Sequence, residues 1–295
     1  MTIRLYGDCL AATFAFLLFV TTSHAAELQE SLTIESPALG REIRYSLLLP
    51  DPVHTSQRHA PIPVLYLLHG LGGNERDWEK LGRITETASR LIEDGAIPPM
   101  AIVMPDGENS WYVNSAKHGR YQDALMDDLI PSIEKLHDIG GDRSRRAIAG
   151  LSMGGYGALR LAFRNPSHFA MTAALSAAIF PDLESTEDVS RQQIRFFKGA
   201  FGEPFDIVAF NHENFFSDIQ SLKAASDRPS IWITVGDDDG FRLYEGNLAL
   251  YLALKQTGVP VEFRVTDGNH TWKLWRSEIE NILRFYGRIL TAGAE

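Results

Sequence analysis

Six short apolar runs alternate with segments of helical periodicity along this chain of 295 residues. A strand that is buried on both faces has a continuous apolar sequence, and helices between successive strands allow those strands to pair in parallel. The alternation therefore predicts an α/β fold with a mostly parallel central sheet flanked by helices. The runs are Val64–Leu68, Met100–Met104, Arg146–Ala149, Met171–Leu175, Ile231–Val235 and Val261–Val265.

Three other segments complete the prediction of the fold. Ser31–Glu35 and Arg41–Leu49, which a Ser-Pro-Ala-Leu-Gly turn separates, predict an antiparallel hairpin at one edge of the sheet. Residues 181–228 are aromatic-rich, mixed in charge and without a strand pattern, which indicates a cap insertion between the sixth and seventh strands. Leucine and isoleucine at helical spacing predict a helix with one buried face, formed by Leu125, Leu129, Ile130, Ile133 and Leu136.

The N-terminal 25 residues have the pattern of a secretory signal peptide. Cys9–Val20 is almost entirely apolar and follows Arg4, and Ser23-His24-Ala25 places small residues where a signal peptidase accepts them. The apolar run is shorter than the roughly 20 residues that span a bilayer, so a membrane anchor fits less well. We expect cleavage after Ala25 and a periplasmic or secreted protein, with residues 26–295 forming a single domain.

Composition narrows the range of partners. The chain carries 28 Lys and Arg against 38 Asp and Glu, which gives a formal net charge of −10. Its basic residues do not form a run longer than Arg145-Arg146, so we expect no nucleic-acid partner. The single cysteine, Cys9, lies in the predicted signal peptide, so the exported protein is expected to lack disulfides. We also expect no stable membrane insertion, and the sequence leaves the oligomeric state open.

Gly150-Leu151-Ser152-Met153-Gly154 has the G-x-S-x-G pattern of a nucleophilic serine. It follows the apolar residues 147–149 and precedes a helical pattern, which places Ser152 on a sharp strand-to-helix turn. Such a turn holds the serine in a strained backbone conformation clear of the sheet, and the flanking glycines avoid side-chain clashes. We predict that Ser152 is a nucleophile.

A serine hydroxyl needs a base to accept its proton and a carboxylate to orient that base. His270 follows the last predicted strand and precedes the last helix, where a loop can bring its imidazole to the carboxyl edge of the sheet. We predict His270 as the general base. His212, in the predicted cap, is expected to be a surface or pocket residue.

The orienting acid is expected in Gly236-Asp237-Asp238-Asp239-Gly240, which follows the strand Ile231–Val235. A G-x-x-D turn assigns Asp239 to this position, with Asp238 as the next candidate. The run lacks the alternating aspartates and the distal glutamate of a calcium loop. We therefore predict no metal and no organic cofactor.

An ester carbonyl develops negative charge when it is attacked, and that charge requires preformed N–H donors. The backbone N–H of Met153, the residue after the nucleophile, is one expected donor. The second is expected from Leu71, in the glycine-rich loop His69-Gly70-Leu71-Gly72-Gly73. We interpret His69 as a structural residue of that loop.

Several further motifs occur in order along the chain. They are Leu67-Leu68-His69-Gly70 with Gly72-Gly73 and Trp78, Met104-Pro105-Asp106-Gly107 with Asn109-Ser110-Trp111-Tyr112, Asp127-Asp128-Leu129-Ile130-Pro131, Gly150–Gly155, Phe201-Gly202, and His270-Thr271-Trp272 with Trp275. Together they resemble the esterase D-like branch of the α/β-hydrolases, which includes feruloyl esterases, acetyl-xylan esterases, S-formylglutathione hydrolases and mycolyltransferases. The resemblance covers most of the chain after the predicted signal peptide. It implies an α/β-hydrolase fold, the triad Ser152, Asp239 and His270, and an oxyanion hole at Leu71 and Met153.

The resemblance also implies an activity, a serine carboxylesterase that acts through an acyl-enzyme on small to medium acyl esters, including acyl- or feruloyl-carbohydrate esters. Trp111 and Tyr112 lie in a loop that borders the acyl pocket in relatives, so they are candidates for substrate contact; packing beneath the glycine-rich loops is the alternative. The phenylalanines of residues 181–228 are expected mainly to anchor the cap. An acyltransferase of the mycolyltransferase type, which moves an acyl group to a sugar hydroxyl, and a non-catalytic binding protein remain open.

Overall fold

A single eight-stranded sheet forms the centre of the protein. The computed structural model describes residues 26–51 and 60–293, so the predicted signal peptide lies outside the described residues. The strands are β1 (Ala26–Ser36), β2 (Arg41–Pro50), β3 (Val64–Leu68), β4 (Ala101–Pro105), β5 (Arg146–Leu151), β6 (Met171–Leu175), β7 (Ser230–Gly236) and β8 (Glu262–Thr266). Their spatial order is β1-β2-β4-β3-β5-β6-β7-β8. β2 is antiparallel to both of its neighbours, and the remaining pairs are parallel.

The sequence predictions for the sheet are confirmed. β3 and β6 have the predicted bounds. The bounds of β4, β7 and β8 differ from the predicted ones by one residue at each end, and β5 ends two residues later than predicted. The hairpin of β1 and β2 lies at the predicted edge of the sheet. β1 begins at Ala26, before the predicted start at Ser31. A register shift between Gln29 and Leu32 interrupts the alternation of its side chains, so the sequence pattern indicated only the second part of the strand.

Helices cover both faces of the sheet, because alternate residues of each buried strand point to opposite faces. Leu65 and Leu67 of β3 pack in the core beneath the helices Ile84–Glu93 and Trp272–Ala292. Val64, Tyr66 and Leu68 pack in the core beneath the helices Ile130–His137, Met153–Arg164 and Leu243–Thr257. The helices are α1 (Asp77–Lys80), α2 (Ile84–Glu93), α3 (Tyr121–Asp123), α4 (Ile130–His137), α5 (Met153–Arg164), α6 (Arg191–Phe196), α7 (Ile207–Glu213), α8 (Asp218–Ala224), α9 (Leu243–Thr257) and α10 (Trp272–Ala292). Over residues 26–51 and 60–293, no helix has the length and apolar character of a membrane span.

A π-helical turn, Ala124–Leu129, joins α3 to α4 and alters the predicted buried face. Pro131, at the start of α4, has no N–H to donate to the carbonyl of the residue four positions earlier, as an α-helix requires. The π-helical turn lies directly before this helix. The π turn rotates the remainder of the helix by about a quarter turn relative to a continuous α-helix. Leu136 is therefore 67% exposed, and its prediction as a core residue is wrong, whereas Leu125, Leu129, Ile130 and Ile133 are buried.

Residues 181–228 lie between β6 and β7 and contain α6, α7, α8 and a 3₁₀ turn at Thr186–Asp188. We call this segment the cap. Most of its phenylalanines are buried in an aromatic cluster. The rings of Phe197, Phe201 and Phe210 contact one another, and Tyr156 of α5 joins Phe201 to Phe215. The prediction that the cap phenylalanines serve mainly as anchors is confirmed for this cluster.

Candidate active site

The predicted site residues all lie at the carboxyl edge of the sheet. Ser152 directly follows β5, Asp239 lies three residues after β7, and His270 lies four residues after β8. The glycine-rich loop that contains Leu71 follows β3, next to β5 in the sheet. Ligands of open α/β sheets bind at this edge, because parallel strands direct their following loops to the same side.

Ser152 lies on a strained turn between β5 and α5. Its φ is 53° and its ψ is −117°, a conformation that is unfavourable for a residue with a side chain. Hydrogen bonds hold it there, since the Ser152 N–H donates to the Leu175 carbonyl (2.9 Å) and the Ser152 carbonyl accepts from the N–H groups of Tyr156 and Ala178 (both 3.0 Å). A Cβ on Gly154 would lie 2.5 Å from the carbonyl oxygens of Leu68 and His69, so glycine is required for this close packing.

Three side chains form a hydrogen-bonded chain across the strand ends. His270 Nε2 lies 3.0 Å from Ser152 Oγ, and His270 Nδ1 lies 2.8 Å from Asp239 Oδ2. The Asp239 side chain is fully buried, and its second oxygen, Oδ1, accepts the Phe241 N–H at 2.9 Å. The carboxylate therefore favours the tautomer in which His270 Nδ1 carries the proton and Nε2 is free to accept the Ser152 hydroxyl proton.

Asn269 connects the loop that contains the acid to the loop that contains the base. Its Oδ1 accepts the Gly240 N–H at 3.0 Å and the His270 N–H at 2.7 Å. The His270 imidazole also lies edge-to-face between two aromatic rings, Phe241 at 5.0 Å and Trp275 at 4.9 Å. The roles of Asn269 and Phe241 are not predictable from local sequence, because they depend on contacts between loops that are far apart in the chain.

Leu71 and Met153 line the same pocket as Ser152, on opposite sides of the junction between β3 and β5. Met153 is the first residue of α5, where backbone N–H groups lack intrahelical acceptors. The loop of Leu71 packs closely against the serine turn, because a Cβ on Gly70 would lie 2.6 Å from Leu151 Cδ1 and 3.4 Å from Ser152 Cβ. Both predicted N–H donors thus belong to backbone segments that border the serine.

His69 is buried and bonded to backbone groups. Its Nδ1 donates to the Gly70 carbonyl at 2.7 Å, and its Nε2 accepts the Gly107 N–H at 2.8 Å. The structure thus places this histidine in the structural role that the sequence indicated. His69 Nε2 also lies 3.6 Å from Asp106 Oδ1, and Asp106 Oδ2 accepts a hydrogen bond from Arg44 at 2.8 Å. Burial opposes ionisation of Asp106, but the hydrogen bonds from Arg44 and the Glu108 N–H outweigh it, and the Asp106 pKa is lowered to about 2.

The pocket above Ser152 has a volume of about 540 Å³ and mainly apolar walls. Aromatic side chains from the cap, from the loops after β4, β6 and β7 and from the start of α10 form much of its wall. Trp111 is one of these lining residues, and its Nε1–H donates to the Phe196 carbonyl of the cap at 3.3 Å. A pocket of this size and polarity suits a small organic molecule.

Tyr112 occupies the packing position that sequence analysis gave as its alternative role. Its side chain is fully buried and its hydroxyl donates to the His69 carbonyl at 3.0 Å. The ring lies against Gly107 and Gly157, where an added Cβ would come within 2.2 Å and 2.6 Å of it. The backbone φ values of Trp111 and Tyr112, 56° and 57°, direct adjacent side chains to different surroundings. Tyr112 therefore supports the loops, and its prediction as a substrate contact is wrong.

The remaining predicted residues lie outside the pocket. His212 is exposed at the end of α7 and pairs with Glu213, as expected for a surface residue. Asp237 and Asp238 are exposed, and their carboxylates lie within 4.8 Å of that of Asp267. The Asp237 carboxylate accepts the Gly268 N–H at 3.0 Å, which supports the turn before His270.

Known proteins of similar sequence and structure identify the family. Residues 36–286 match the sequence model of the esterase family, described as "Putative esterase". An acetyl esterase of Caldicellulosiruptor saccharolyticus is 28% identical over 238 residues, which are 77% of this chain and 84% of that protein. A solved ferulic acid esterase structure is 29% identical, with a TM-score of 0.73, and the match covers 91% of this chain and all of that one.

A second solved structure is a fluorophosphonate-binding serine hydrolase of Staphylococcus aureus. It is 25% identical with a TM-score of 0.72, and the match covers 88% of this chain and 98% of that one. The structural neighbours are α/β-hydrolase esterases, in agreement with the mostly parallel sheet and its flanking helices. The chain therefore belongs to the esterase family of α/β-hydrolases, and its enzymatic class is carboxylesterase.

Proposed function

We propose that this carboxylesterase uses Ser152, His270 and Asp239 as a catalytic triad and forms an acyl-enzyme. The observation that carries the proposal is the continuous chain of hydrogen bonds from Asp239 through His270 to Ser152, with Ser152 Oγ facing the pocket. A nucleophile, a base and an orienting acid in this arrangement are the requirements for nucleophilic catalysis by serine.

In the first half of the reaction, His270 Nε2 accepts the Ser152 hydroxyl proton as Oγ attacks the ester carbonyl carbon. The N–H groups of Leu71 and Met153 stabilise the negative oxygen of the tetrahedral intermediate. The intermediate collapses, the bond to the leaving oxygen breaks, and His270 returns the proton to the departing alcohol. In the second half, His270 removes a proton from water as the water oxygen attacks the acyl-serine carbonyl carbon. The bond between that carbon and Ser152 Oγ then breaks, His270 returns the proton to Oγ, and the acid is released.

The substrates that we propose are esters of small to medium acyl groups. The apolar pocket of about 540 Å³ supports this class, since it can bury an acyl chain or an aromatic ring beside Ser152. The names of the similar proteins, an acetyl esterase and a ferulic acid esterase, agree with acyl groups of this range. Trp111 is the wall residue that we propose to contact the acyl group.

A series of p-nitrophenyl esters from acetate to palmitate, together with methyl ferulate, tests this proposal with the wild type and Ser152→Ala. We expect the wild type to hydrolyse the shorter esters, and Ser152→Ala to lose activity by several orders of magnitude while keeping its circular dichroism spectrum. Full activity of Ser152→Ala would contradict the serine mechanism.

Product analysis with an added sugar or alcohol acceptor distinguishes hydrolysis from acyl transfer. We expect free acid as the main product, because water resolves the acyl-enzyme in the proposed mechanism. A new ester formed in preference to free acid would indicate the acyltransferase instead. Inactivity on every ester would favour a binding function for the same pocket.

A further inference from the structure

A second cavity, of about 340 Å³, lies beside the pocket that contains Ser152. It is bounded by the cap, the segment after β6, the loop after β7 and the start of α9, and it opens to solvent beside the exposed side chains of Arg242 and Glu245. The two cavities are distinct, yet four residues line both of them: Phe180, Gln193, Phe241 and Leu243. We call these four residues the partition.

The partition stands close to the nucleophile. Phe180 lies two residues after Ala178, whose N–H donates to the Ser152 carbonyl at 3.0 Å. On the other side, the Phe241 ring is in edge-to-face contact with His270 at 5.0 Å and with Phe196 of the cap at 5.6 Å. A chain bound to Ser152 that grows toward the cap therefore meets the partition before it reaches the second cavity.

One wall of the second cavity is suited to an apolar chain. The cap and the segment after β6 form this wall with buried apolar side chains, among them Ile179, Val189, Phe197 and Phe210. The charged residues are exposed and pair with neighbours, since Asp188 accepts the N–H groups of Glu184 and Ser185 and Arg242 pairs with Glu245. A methylene chain that follows the apolar wall would gain apolar contact.

We propose that the partition sets the longest acyl chain that the enzyme accepts, and that the apolar wall of the second cavity extends the acyl pocket for an unbranched medium-length acyl chain. This inference rests on the proposed function, because it takes Ser152 as the residue that carries the acyl group. Phe180 is the most useful position for a test, because its half-buried ring lines both cavities and, unlike Phe241, is not in ring contact with His270.

The test compares kcat/KM for p-nitrophenyl butyrate, octanoate and decanoate in the wild type and in Phe180→Ala. We expect the decanoate-to-butyrate ratio to rise by roughly tenfold or more in the variant, because each additional buried methylene contributes about fourfold, or ~0.8 kcal/mol. Phe216→Ala is the matched control. Phe216 is also a half-buried phenylalanine, in the cap and stacked on Phe215, so its removal should leave the ratio at the wild-type value.

A second substitution tests whether the gain comes from the second cavity. Val189 lines that cavity, so Val189→Phe in the Phe180→Ala background fills the opened space and should return the ratio to the wild-type value. If Phe180→Ala fails to fold, Gln193→Ala replaces it in the test. Gln193 is the partition residue that the cap contributes, so its truncation should also raise the ratio.

An unchanged ratio in folded Phe180→Ala, or an equal rise in Phe216→Ala, would overturn the inference while leaving the proposed function in place. A wild type that hydrolyses none of the esters would overturn both.

Discussion

The Asp239 carboxylate accepts two hydrogen bonds, one at each oxygen. The His270 Nδ1–H and the Phe241 N–H each donate to one of its oxygens. Asp239→Asn replaces one oxygen by an NH₂ donor, which favours the His270 tautomer whose Nε2 carries the proton and cannot accept another from Ser152. We expect kcat to fall by about 10⁴-fold, measured with p-nitrophenyl butyrate.

Asp238→Asn is the control for this substitution. It makes the same chemical change in the neighbouring residue, but the Asp238 side chain is exposed. We expect its kcat to stay within about threefold of wild type, since surface substitutions rarely perturb the structure. A larger loss in Asp238→Asn than in Asp239→Asn would move the orienting acid to position 238.

Asp106 makes the free energy of unfolding depend on pH, and this effect is separate from catalysis. Its pKa is lowered to about 2 in the folded protein, against 3.8 for an ordinary aspartate, because its bonding partners outweigh burial. The stabilisation is therefore fully present above the unfolded pKa and disappears as the pH falls from about 5 toward 2. The shift corresponds to about 2 kcal/mol of unfolding free energy.

Urea unfolding of the wild type and Asp106→Asn at several pH values tests this effect. At pH 7 we expect the variant to be less stable by about 2 kcal/mol, and we expect the difference to shrink as the pH falls below 4. A difference that stays constant from pH 7 to pH 3 would show that charge is not its cause.

Among the elements, α5 holds the cap through a buried ion pair. The Arg160 side chain is 2% exposed, and it pairs with Glu213 at the end of α7. Arg160 Nε and the Tyr156 hydroxyl also donate to the Glu213 carbonyl, at 3.1 Å and 2.7 Å. Because α5 begins next to Ser152, these bonds connect the cap to the helix that carries the nucleophile turn.

Glu213→Gln should destabilise the protein by about 3 kcal/mol, because it leaves the buried Arg160 guanidinium without a charged partner. Denaturant unfolding at pH 7 measures this change. The control is Glu245→Gln, which breaks the exposed pair with Arg242 and should change stability by less than about 1 kcal/mol. Equal effects of the two substitutions would mean that burial does not govern the contribution of Glu213.

The elements also show what local patterns can predict and where they fail. Continuous apolar runs predicted β3 to β7 because these strands are buried on both faces, whereas β8 lies at the sheet edge and is only partly buried. The π turn before Pro131 could not be read in this way, since the residues around it keep ordinary helical spacing. The resulting rotation is a property of backbone hydrogen bonding, and it explains why Leu136 is exposed.

At the scale of the whole molecule, strand order determines how much of the site was predictable. Ser152, Asp239 and His270 each follow a strand closely, so parallel pairing alone brings them to one edge. Asn269 and the partition depend on the packing of separate loops and the cap, which no local spacing encodes. Tyr112 shows the same limit, because its sequence neighbour Trp111 faces the pocket while Tyr112 is buried beneath the loops.

We also propose that the protein is exported and that its mature chain begins at Ala26. The apolar run Cys9–Val20 and the small residues before Ala26 support this proposal. Expression of the full chain in a bacterial host, followed by cell fractionation and N-terminal sequencing, should give a periplasmic or secreted protein that starts at Ala26. A cytoplasmic protein that retains Met1 would contradict export.

Covalent labelling shows whether Ser152 is the residue that carries the acyl group during turnover. A fluorophosphonate loses fluoride when an activated serine attacks its phosphorus, which leaves a stable adduct on that serine. Intact-mass measurement and peptide mapping should show one adduct on Ser152 in the wild type and none in Ser152→Ala. Labelling of a different residue, or equal labelling of Ser152→Ala, would mean that Ser152 is not the nucleophile.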